Sequence, residues 1–239
     1  MKMKDKNAAQ SEAKEKHRVN LQAAKARRRS EPNLERSEPT KKERPTILIV
    51  CEGKNTEPSY FKKFKLASAI IKTLGNGKNT LSLVKQAINL KIQNNYEQVW
   101  CVFDKDSFPI NNFNNAIALA EANDLKVAYS NQAFEYWLIL HFEDHQGGAM
   151  PRSDYAAKIN QYINPLGAIF DGQKNKIISD DFFDILMGKD PRLKEPRIKL
   201  AIQRAKRNYN NLDHESPALE ESSTLVFRLA EEILSFIDN

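Results

Sequence analysis

The chain has 239 residues, with 37 Lys and Arg against 31 Asp and Glu, and a formal net charge of +6 at pH 7. This length suits one domain of ordinary size, or a domain with a tail. No apolar stretch approaches the roughly 20 residues of a membrane span, and residues 1–18 lack the apolar core of a secretory signal, so we expect a cytoplasmic protein without a membrane partner.

Residues 1–44 are predicted to form a basic tail. Residues 1–45 hold 14 Lys and Arg against 7 Asp and Glu, a local charge of +7, which leaves −1 for the remainder. Because this segment has few large apolar side chains, it cannot offset the entropy of ordering, and we expect it to be disordered or partly helical. Its cluster Lys25–Arg29 could touch phosphate or an acidic partner surface, although a solvated tail is the simpler interpretation.

Residues 45–239 are predicted to form one domain that begins with a strand and a helix. The apolar run Ile47–Cys51 is typical of a strand buried on both faces, as in a parallel sheet. A helix should follow a short turn, with Thr56 as N-cap and with Glu57 and Pro58 in the first turn. We expect this helix to continue until the sequence LGNG at 74–77 breaks it.

The same alternation continues to residue 129, and helices are predicted beyond it. The next predicted elements are a helix at 80–94, a buried strand at 98–103, a helix at 112–122 and a strand at 125–129. This order indicates right-handed βαβ crossovers and a small parallel sheet flanked by helices, which is an α/β fold. The C-terminal part is predicted to be mostly helical, with helices near 133–142, 153–163, 196–211 and 222–237 and with loops at 143–152 and 164–180.

Each of the first two buried strands runs directly into carboxylates. Glu52 follows the first strand, and Asp104 and Asp106 follow the second. Sites in open α/β sheets lie at the carboxyl ends of the strands, where neighbouring strands are about 5 Å apart. Gly53 would let the backbone turn sharply beside an ion. Because Mg²⁺ prefers oxygen ligands, the leading hypothesis is a site for Mg²⁺, or Mn²⁺, and the alternative is an ordinary acidic turn.

Further candidate residues lie near the same sheet edge. Lys54 and Thr56 open a helix, and helix N-termini attract phosphate. Asn131 could cap the helix that follows the third strand. On that helix, Glu135 could bind a second cation or orient water, or it could pair structurally. His141 is either a binding residue or a hydrogen-bonded core histidine.

The sequence lacks several other signatures. The two cysteines, Cys51 and Cys101, end buried strands, and we interpret them as core residues rather than as a disulfide. No G-x-x-x-x-G-K-[ST] element, G-x-G-x-x-G fingerprint or zinc-spaced set of Cys and His occurs. A P-loop ATPase, a dinucleotide-binding domain and a zinc module are therefore not indicated.

These blocks resemble the RloB-like family, which looks like a compact version of the TOPRIM metal-binding fold. The family's opening pattern C-E-G-x-x-T-E-P-x-Y-F is matched by Cys51–Phe61, and its F-D-x-D block by Phe103–Asp106. Its block S-N-P-x-F-E-x-W-L-x-x-H-F is matched by 130–142, with Gln132 in place of the usual proline. The closing S-T before a final apolar helix fits 223–224, so the resemblance extends over about 46–237.

The resemblance implies a nuclease. By its pattern, Glu52, Asp104 and Asp106 correspond to the TOPRIM acids that hold Mg²⁺. TOPRIM domains serve in topoisomerases, primases and nucleases, and the family is similar to components of bacterial anti-phage loci, often beside an AAA-type ATPase, the RloA-like partner. We therefore expect a Mg²⁺-dependent nuclease of phage defence that acts on nucleic acid.

The predicted roles divide the candidates into two groups. The predicted catalytic residues are Glu52, Asp104, Asp106 and Glu135. The predicted substrate-binding residues are Gly53, Lys54, Thr56, Asn131 and His141. The alternative is a non-catalytic sensor or regulatory partner of a defence ATPase, which the near-neutral charge of residues 46–239 favours, because a lone nuclease usually presents a basic track to its substrate.

Overall fold

The computed structural model describes residues 2–29, 46–73, 80–106, 108–145, 148 and 150–237. The chain divides into two units, Met1–Glu43 and Arg44–Asn239. In the first unit the described part is one helix, α1 (Lys2–Arg29), and residues 11–25 are exposed on all sides. The tail was expected to be disordered or partly helical, and its described part is helical.

The second unit is built around a five-stranded sheet with the order β2-β1-β3-β4-β5. The strands are β1 (Ile47–Cys51), β2 (Ala69–Thr73), β3 (Gln98–Asp104), β4 (Lys126–Asn131) and β5 (Ser223–Thr224). The first four strands are mutually parallel, and β5 runs antiparallel to β4. The predicted α/β fold with a small, mainly parallel sheet is therefore confirmed.

Eight helices are described in the second unit. They are α2 (Thr56–Lys62), α3 (Thr80–Gln93), α4 (Ile110–Glu121), α5 (Glu135–Ile139), α6 (Arg152–Ile163), α7 (Asp180–Met187), α8 (Arg197–Asn210) and α9 (Val226–Ile237). Short 3₁₀ turns occur at Asn164–Leu166 and Pro217–Leu219. Helix α7 was not predicted, although Ser179 caps it by accepting a hydrogen bond from Phe182 N at 3.1 Å. No helix among the described residues is both long and apolar enough to cross a membrane.

The long helix predicted from Thr56 to residue 73 was wrong. Helix α2 ends at Lys62, Lys65 adopts a positive φ of 51°, and residues 69–73 form β2, which pairs in parallel with β1. The β-branched pair Ile70-Ile71 suits a strand, and β1 needs a partner on its outer edge, so tertiary pairing decides the structure here. The expected helix breaker at 74–77 lies outside the described residues.

The register of the sheet brings strand ends to one edge. Cys51, the last residue of β1, lies opposite Val102, and the next backbone N–H, of Glu52, donates to Val102 O at 2.9 Å. Strand β3 continues beyond that point to Asp104, which lies opposite Ser130 of β4. The side chains that follow β1, β3 and β4 therefore emerge beside each other.

Aromatic packing fixes α2 and α5 beneath this edge. The ring of Tyr60 lies 5.2 Å from that of Phe61 and 5.5 Å from that of Phe134, in edge-to-face contacts, and Phe61 lies 5.9 Å from Phe134. These contacts join the two short helices, whose first turns both carry a glutamate. Cys51 and Cys101 are free thiols in the core, where burial raises the pKa of both, and this confirms their interpretation as core residues.

Candidate functional site

A cleft of about 280 Å³ opens at the carboxyl edge of the sheet. Its walls carry five carboxylates, from Glu52, Glu57, Asp104, Asp106 and Glu135. They also carry three cationic side chains, from Lys54, Arg152 and Lys176. An excess of acids with a few cations beside it suits a divalent cation together with an anionic substrate.

The ends of β1 and β3 place the first two acids. Glu52 directly follows β1, and its Oε2 accepts a hydrogen bond from Asp104 N at 3.4 Å. Asp104 is itself the last residue of β3. The two acids are thus linked across neighbouring strands, as the strand pattern predicted.

The turn after β4 places Asp106. Lys105 N donates to Ser130 O at 2.9 Å, and Asp106 N donates to Gln132 O at 3.0 Å. Asp106 has a φ of 43°, which is uncommon for a residue with a side chain. The peptide bond between Asn131 and Gln132 is cis. The loop carrying Asp106 is therefore held by Ser130, near the end of β4, and by Gln132, which follows β4.

Glu57 lies against Gly53. A Cβ atom at position 53 would come 2.6 Å from Glu57 Oε1, a distance that real Cβ atoms essentially never show. A side chain at position 53 would therefore require the Glu57 carboxylate to move, in addition to the turn that the sequence predicted. Glu57 is only 6% exposed and Glu135 only 5%, so the first turns of α2 and α5 bury two carboxyl groups in the cleft wall.

Burial and mutual repulsion make several of these acids hard to ionise. Burial is the main cause that raises the pKa of Glu52 to about 7, and the carboxylates of Glu57 and Asp106 contribute to this rise. Burial also raises the pKa of Asp104 well above its ordinary value, and Glu57 and Glu135 add to the effect. The pKa of Glu57 is raised by burial and by Glu135. A group of buried like charges of this kind is stabilised by a cation.

Arg152 supplies part of that positive charge. It is the first residue of α6, its Nη1 pairs with Asp106 Oδ2, and its Nη2 lies 4.0 Å from Asp104 Oδ2. The guanidinium lowers the pKa of Asp104, but desolvation is the larger effect and the net pKa stays raised. Arginine therefore compensates these two acids only in part.

The carboxylate oxygens of the cleft that lack a partner among the described residues have the chemistry that a hard cation requires, but they are not arranged around a common point. Asp104 Oδ1 and Glu52 Oε1 are buried without a hydrogen-bond partner among the described residues. Carboxylate oxygens are the donors that Mg²⁺ and Mn²⁺ prefer. However, no group of three or more His, Cys, Asp or Glu within the described ranges is arranged to hold a metal ion. Glu52, Asp104 and Asp106 therefore stay predicted metal ligands.

The structure brings seven of the nine predicted site residues to the cleft. They are Glu52, Gly53, Lys54, Thr56, Asp104, Asp106 and Glu135. Thr56 is the first residue of α2 rather than its cap, which is Asn55. The catalytic, substrate-binding and metal-binding roles assigned to these residues stay predictions.

The other two predicted residues do not line the cleft. Asn131 does not cap α5 as expected, because its Nδ2 donates to Pro217 O at 2.9 Å. His141 is fully buried, its Nδ1 lies 3.0 Å from Trp137 O, and burial lowers its pKa to about 3. These are the contacts of a core histidine, which was the alternative interpretation.

Six residues that line the cleft were not predicted as site residues: Asn55, Phe108 and Phe134, and the charged residues Glu57, Arg152 and Lys176. Glu57 lies inside the block C-E-G-x-x-T-E-P, so its position in the first turn of the helix that follows Gly53 could have indicated a role. Arg152, at the start of α6, and Lys176, in the loop before α7, are distant in sequence from the strand ends, and no local pattern marks them.

The comparisons with known proteins agree with the sequence pattern. No curated protein and no solved structure gives a match. The family model described as RloB-like protein matches residues 47–233, which include the whole sheet and every residue that lines the cleft. The chain therefore belongs to the RloB-like protein family.

Proposed function

We propose that this protein is a Mg²⁺-dependent nuclease, with Mn²⁺ as an alternative cation, which hydrolyses phosphodiester bonds in the cytoplasm as part of a bacterial anti-phage defence system. An AAA-type ATPase of the RloA-like kind is the proposed partner. The observation that carries the proposal is the acid cleft, in which buried carboxylate oxygens of Glu52 and Asp104 have no hydrogen-bond partner among the described residues.

The acidic residues have different roles in the proposed mechanism. Asp104 and Asp106 would hold the cation, with Glu52 as a third ligand or as a general base for water. When bound, such a cation polarises a phosphoryl oxygen and lowers the pKa of bound water. The raised pKa of Glu52, about 7, suits a group that exchanges protons near neutral pH. Glu135 could orient water from the opposite wall or take part in binding a second cation.

The cationic side chains of the cleft suit an anionic substrate. Lys54, Arg152 and Lys176 line the same cleft as the acids, and a phosphodiester needs positive groups to offset its charge. Carboxylates alone would repel a phosphate. The mixture of both signs in one cleft is therefore expected for phosphoryl chemistry.

Helix α1 offers a second source of attraction for nucleic acid. Residues 1–45 carry a charge of +7, whereas the rest of the chain carries −1. In this proposal, α1 attracts the phosphate backbone without regard to sequence, and the cleft performs the chemistry.

Cleavage of labelled DNA and RNA, with Mg²⁺ or Mn²⁺ and with or without the ATPase, tests the proposal. We expect wild-type protein to cleave one of these substrates, EDTA to stop cleavage, and Asp104→Asn to reduce it by at least 100-fold, on the order of the loss for an essential electrostatic group. Asp124→Asn is the matched control, because Asp124 is 97% exposed and lies outside the cleft. Equal cleavage by Asp104→Asn and by wild type would refute the assignment.

The second candidate function is a non-catalytic regulatory subunit of a defence ATPase. It is favoured by the pairing of Arg152 with Asp106 and by the lack, among the described residues, of a ready group of metal ligands. In that case Asp104→Asn would leave binding of the ATPase intact, and no cleavage would be detected in any combination.

A further inference from the structure

The side chain of Arg152 reaches the acid cluster from a separate part of the chain. Its Nη1 pairs with Asp106 Oδ2, and its Nη2 lies 4.0 Å from Asp104 Oδ2, which is the outer limit of an ion pair. The side chain of Arg152 is 38% exposed and that of Asp106 is 41% exposed. Because water screens ion pairs of this kind, little free energy is needed to open the pair.

The contact with Arg152 leaves part of the Asp104 carboxylate without a hydrogen-bond partner among the described residues. Asp104 is only 9% exposed, and its Oδ1 is buried without a hydrogen-bond partner among the described residues. Buried carboxylate oxygens are normally paired, so an orphaned one next to a loosely held arginine indicates a further ligand. Glu52 Oε1, in the same cleft, is orphaned in the same way.

A guanidinium and a divalent cation cannot both lie against the same two carboxylates without strong repulsion. One of them must give way, and Arg152 is the one that can move, since its long side chain is partly exposed at the start of α6. Displaced from Asp104 and Asp106, it remains beside the cleft, where its planar fork matches a phosphate group.

We propose that Arg152 exchanges partners: it pairs with Asp104 and Asp106 in the cation-free cleft, and divalent cation binding releases it to a phosphate group of the substrate. This inference rests on the proposed function, because it takes the acid cleft as the cation site. Arg152 is thereby a substrate-positioning residue, and it also keeps the acids neutralised when no cation is bound.

The exchange makes cation and phosphate binding cooperative. Phosphate favours the released arginine, and the cation releases it, so each ligand raises the affinity for the other by the same factor. Loss of the arginine side chain should therefore have two opposite effects: tighter binding of the cation alone, and a smaller cooperative gain in phosphate binding.

Calorimetric titration of Mn²⁺ into wild type and Arg152→Gln tests the first effect. We expect the variant to bind Mn²⁺ roughly three- to tenfold more tightly, because a competing exposed ion pair is removed. Arg207→Gln is the matched control. The side chain of Arg207 is 47% exposed and pairs with Asp144, but it lies outside the cleft. The Mn²⁺ affinity of Arg207→Gln should therefore equal that of wild type. The Mn²⁺ affinity of Arg152→Lys, which keeps the charge, should lie between those of wild type and Arg152→Gln. The lysine variant replaces the glutamine variant in the test if the latter does not fold.

Titration of inorganic phosphate, with and without saturating Mn²⁺, tests the second effect. Wild type and Arg207→Gln should bind phosphate more tightly with the cation. Arg152→Gln should show a smaller gain, because only the attraction between the cation and phosphate remains. Equal or weaker Mn²⁺ binding by Arg152→Gln, with wild type binding Mn²⁺ normally, would overturn the exchange while leaving the cation site of the proposed function intact. Absence of Mn²⁺ binding in both proteins would overturn the cation site and the exchange together.

Discussion

Replacement of Glu52 by glutamine should stabilise the cation-free protein at pH 8 but not at pH 4. The pKa of Glu52 is raised from 4.5 to about 7, mainly by burial, so the folded protein holds this proton more tightly than the unfolded chain does. The contribution of Glu52 to stability is therefore constant below pH 4.5, falls as the pH rises towards 7, and is lowest above 7. Glutamine keeps the shape and the acceptor for Asp104 N but cannot ionise.

The magnitude follows from the pKa. An increase of this size corresponds to about 3 kcal/mol at high pH, since each tenfold change in proton affinity is ~1.4 kcal/mol. Glu52 is only partly buried, and screening by water reduces the expected gain to about 2 kcal/mol. For a chain of this length, that gain raises the melting temperature by about 4–8 °C.

Thermal unfolding of wild type and Glu52→Gln in chelator, at several values between pH 4 and 8, measures the effect. The comparison is between two proteins at each pH, because burial of His141, with its pKa lowered to about 3, makes both less stable as the pH falls below 6.5. Glu97→Gln, at an exposed position outside the cleft, is the control and should match wild type throughout. A difference between Glu52→Gln and wild type that does not grow with pH would refute the reasoning.

Three further predictions concern the cleft, its surroundings and the basic helix. Gly53→Ala should lower the melting temperature, because the new Cβ displaces the buried Glu57 carboxylate, and an unchanged melting temperature would contradict that contact. Asn131→Ala should cost about 1 kcal/mol of unfolding free energy through the lost bond to Pro217 O, yet leave the affinity for a labelled oligonucleotide unaltered; a weakened affinity for the oligonucleotide would instead support the predicted substrate-binding role. Deletion of residues 2–29 should weaken binding of a labelled oligonucleotide and flatten its salt dependence in fluorescence anisotropy, and an unchanged slope would show that the helix does not contact phosphate.

Strands β1, β3 and β4 and most of the acid cleft could be predicted from sequence because they depend on local patterns. Strands β1 and β3 are continuous apolar runs that stop at carboxylates, and parallel pairing then brings Glu52 and Asp104 to one edge. Strand β2 could not be predicted in this way. Its short run with Ile70 and Ile71 fits a helix or a strand, and only pairing with β1 decides between them.

The rest of the site depends on tertiary packing. Arg152 reaches Asp106 only because α6 packs against α5, and no spacing in the sequence encodes that approach. Asn131 was expected in the site from its position after β4, but its side chain is engaged by Pro217, which lies 86 residues further along the chain. Position at a sheet edge thus predicts which backbone segments meet, but not which way each polar side chain turns.

The central claim is that the acid cleft holds a divalent cation, and calorimetric titration of Mg²⁺ into wild type and Asp104→Asn/Asp106→Asn tests it most directly. We predict saturable binding by wild type that is lost in the double variant, with both proteins folded by thermal unfolding. Equal binding by the two proteins, or no binding by folded wild type, would contradict the claim.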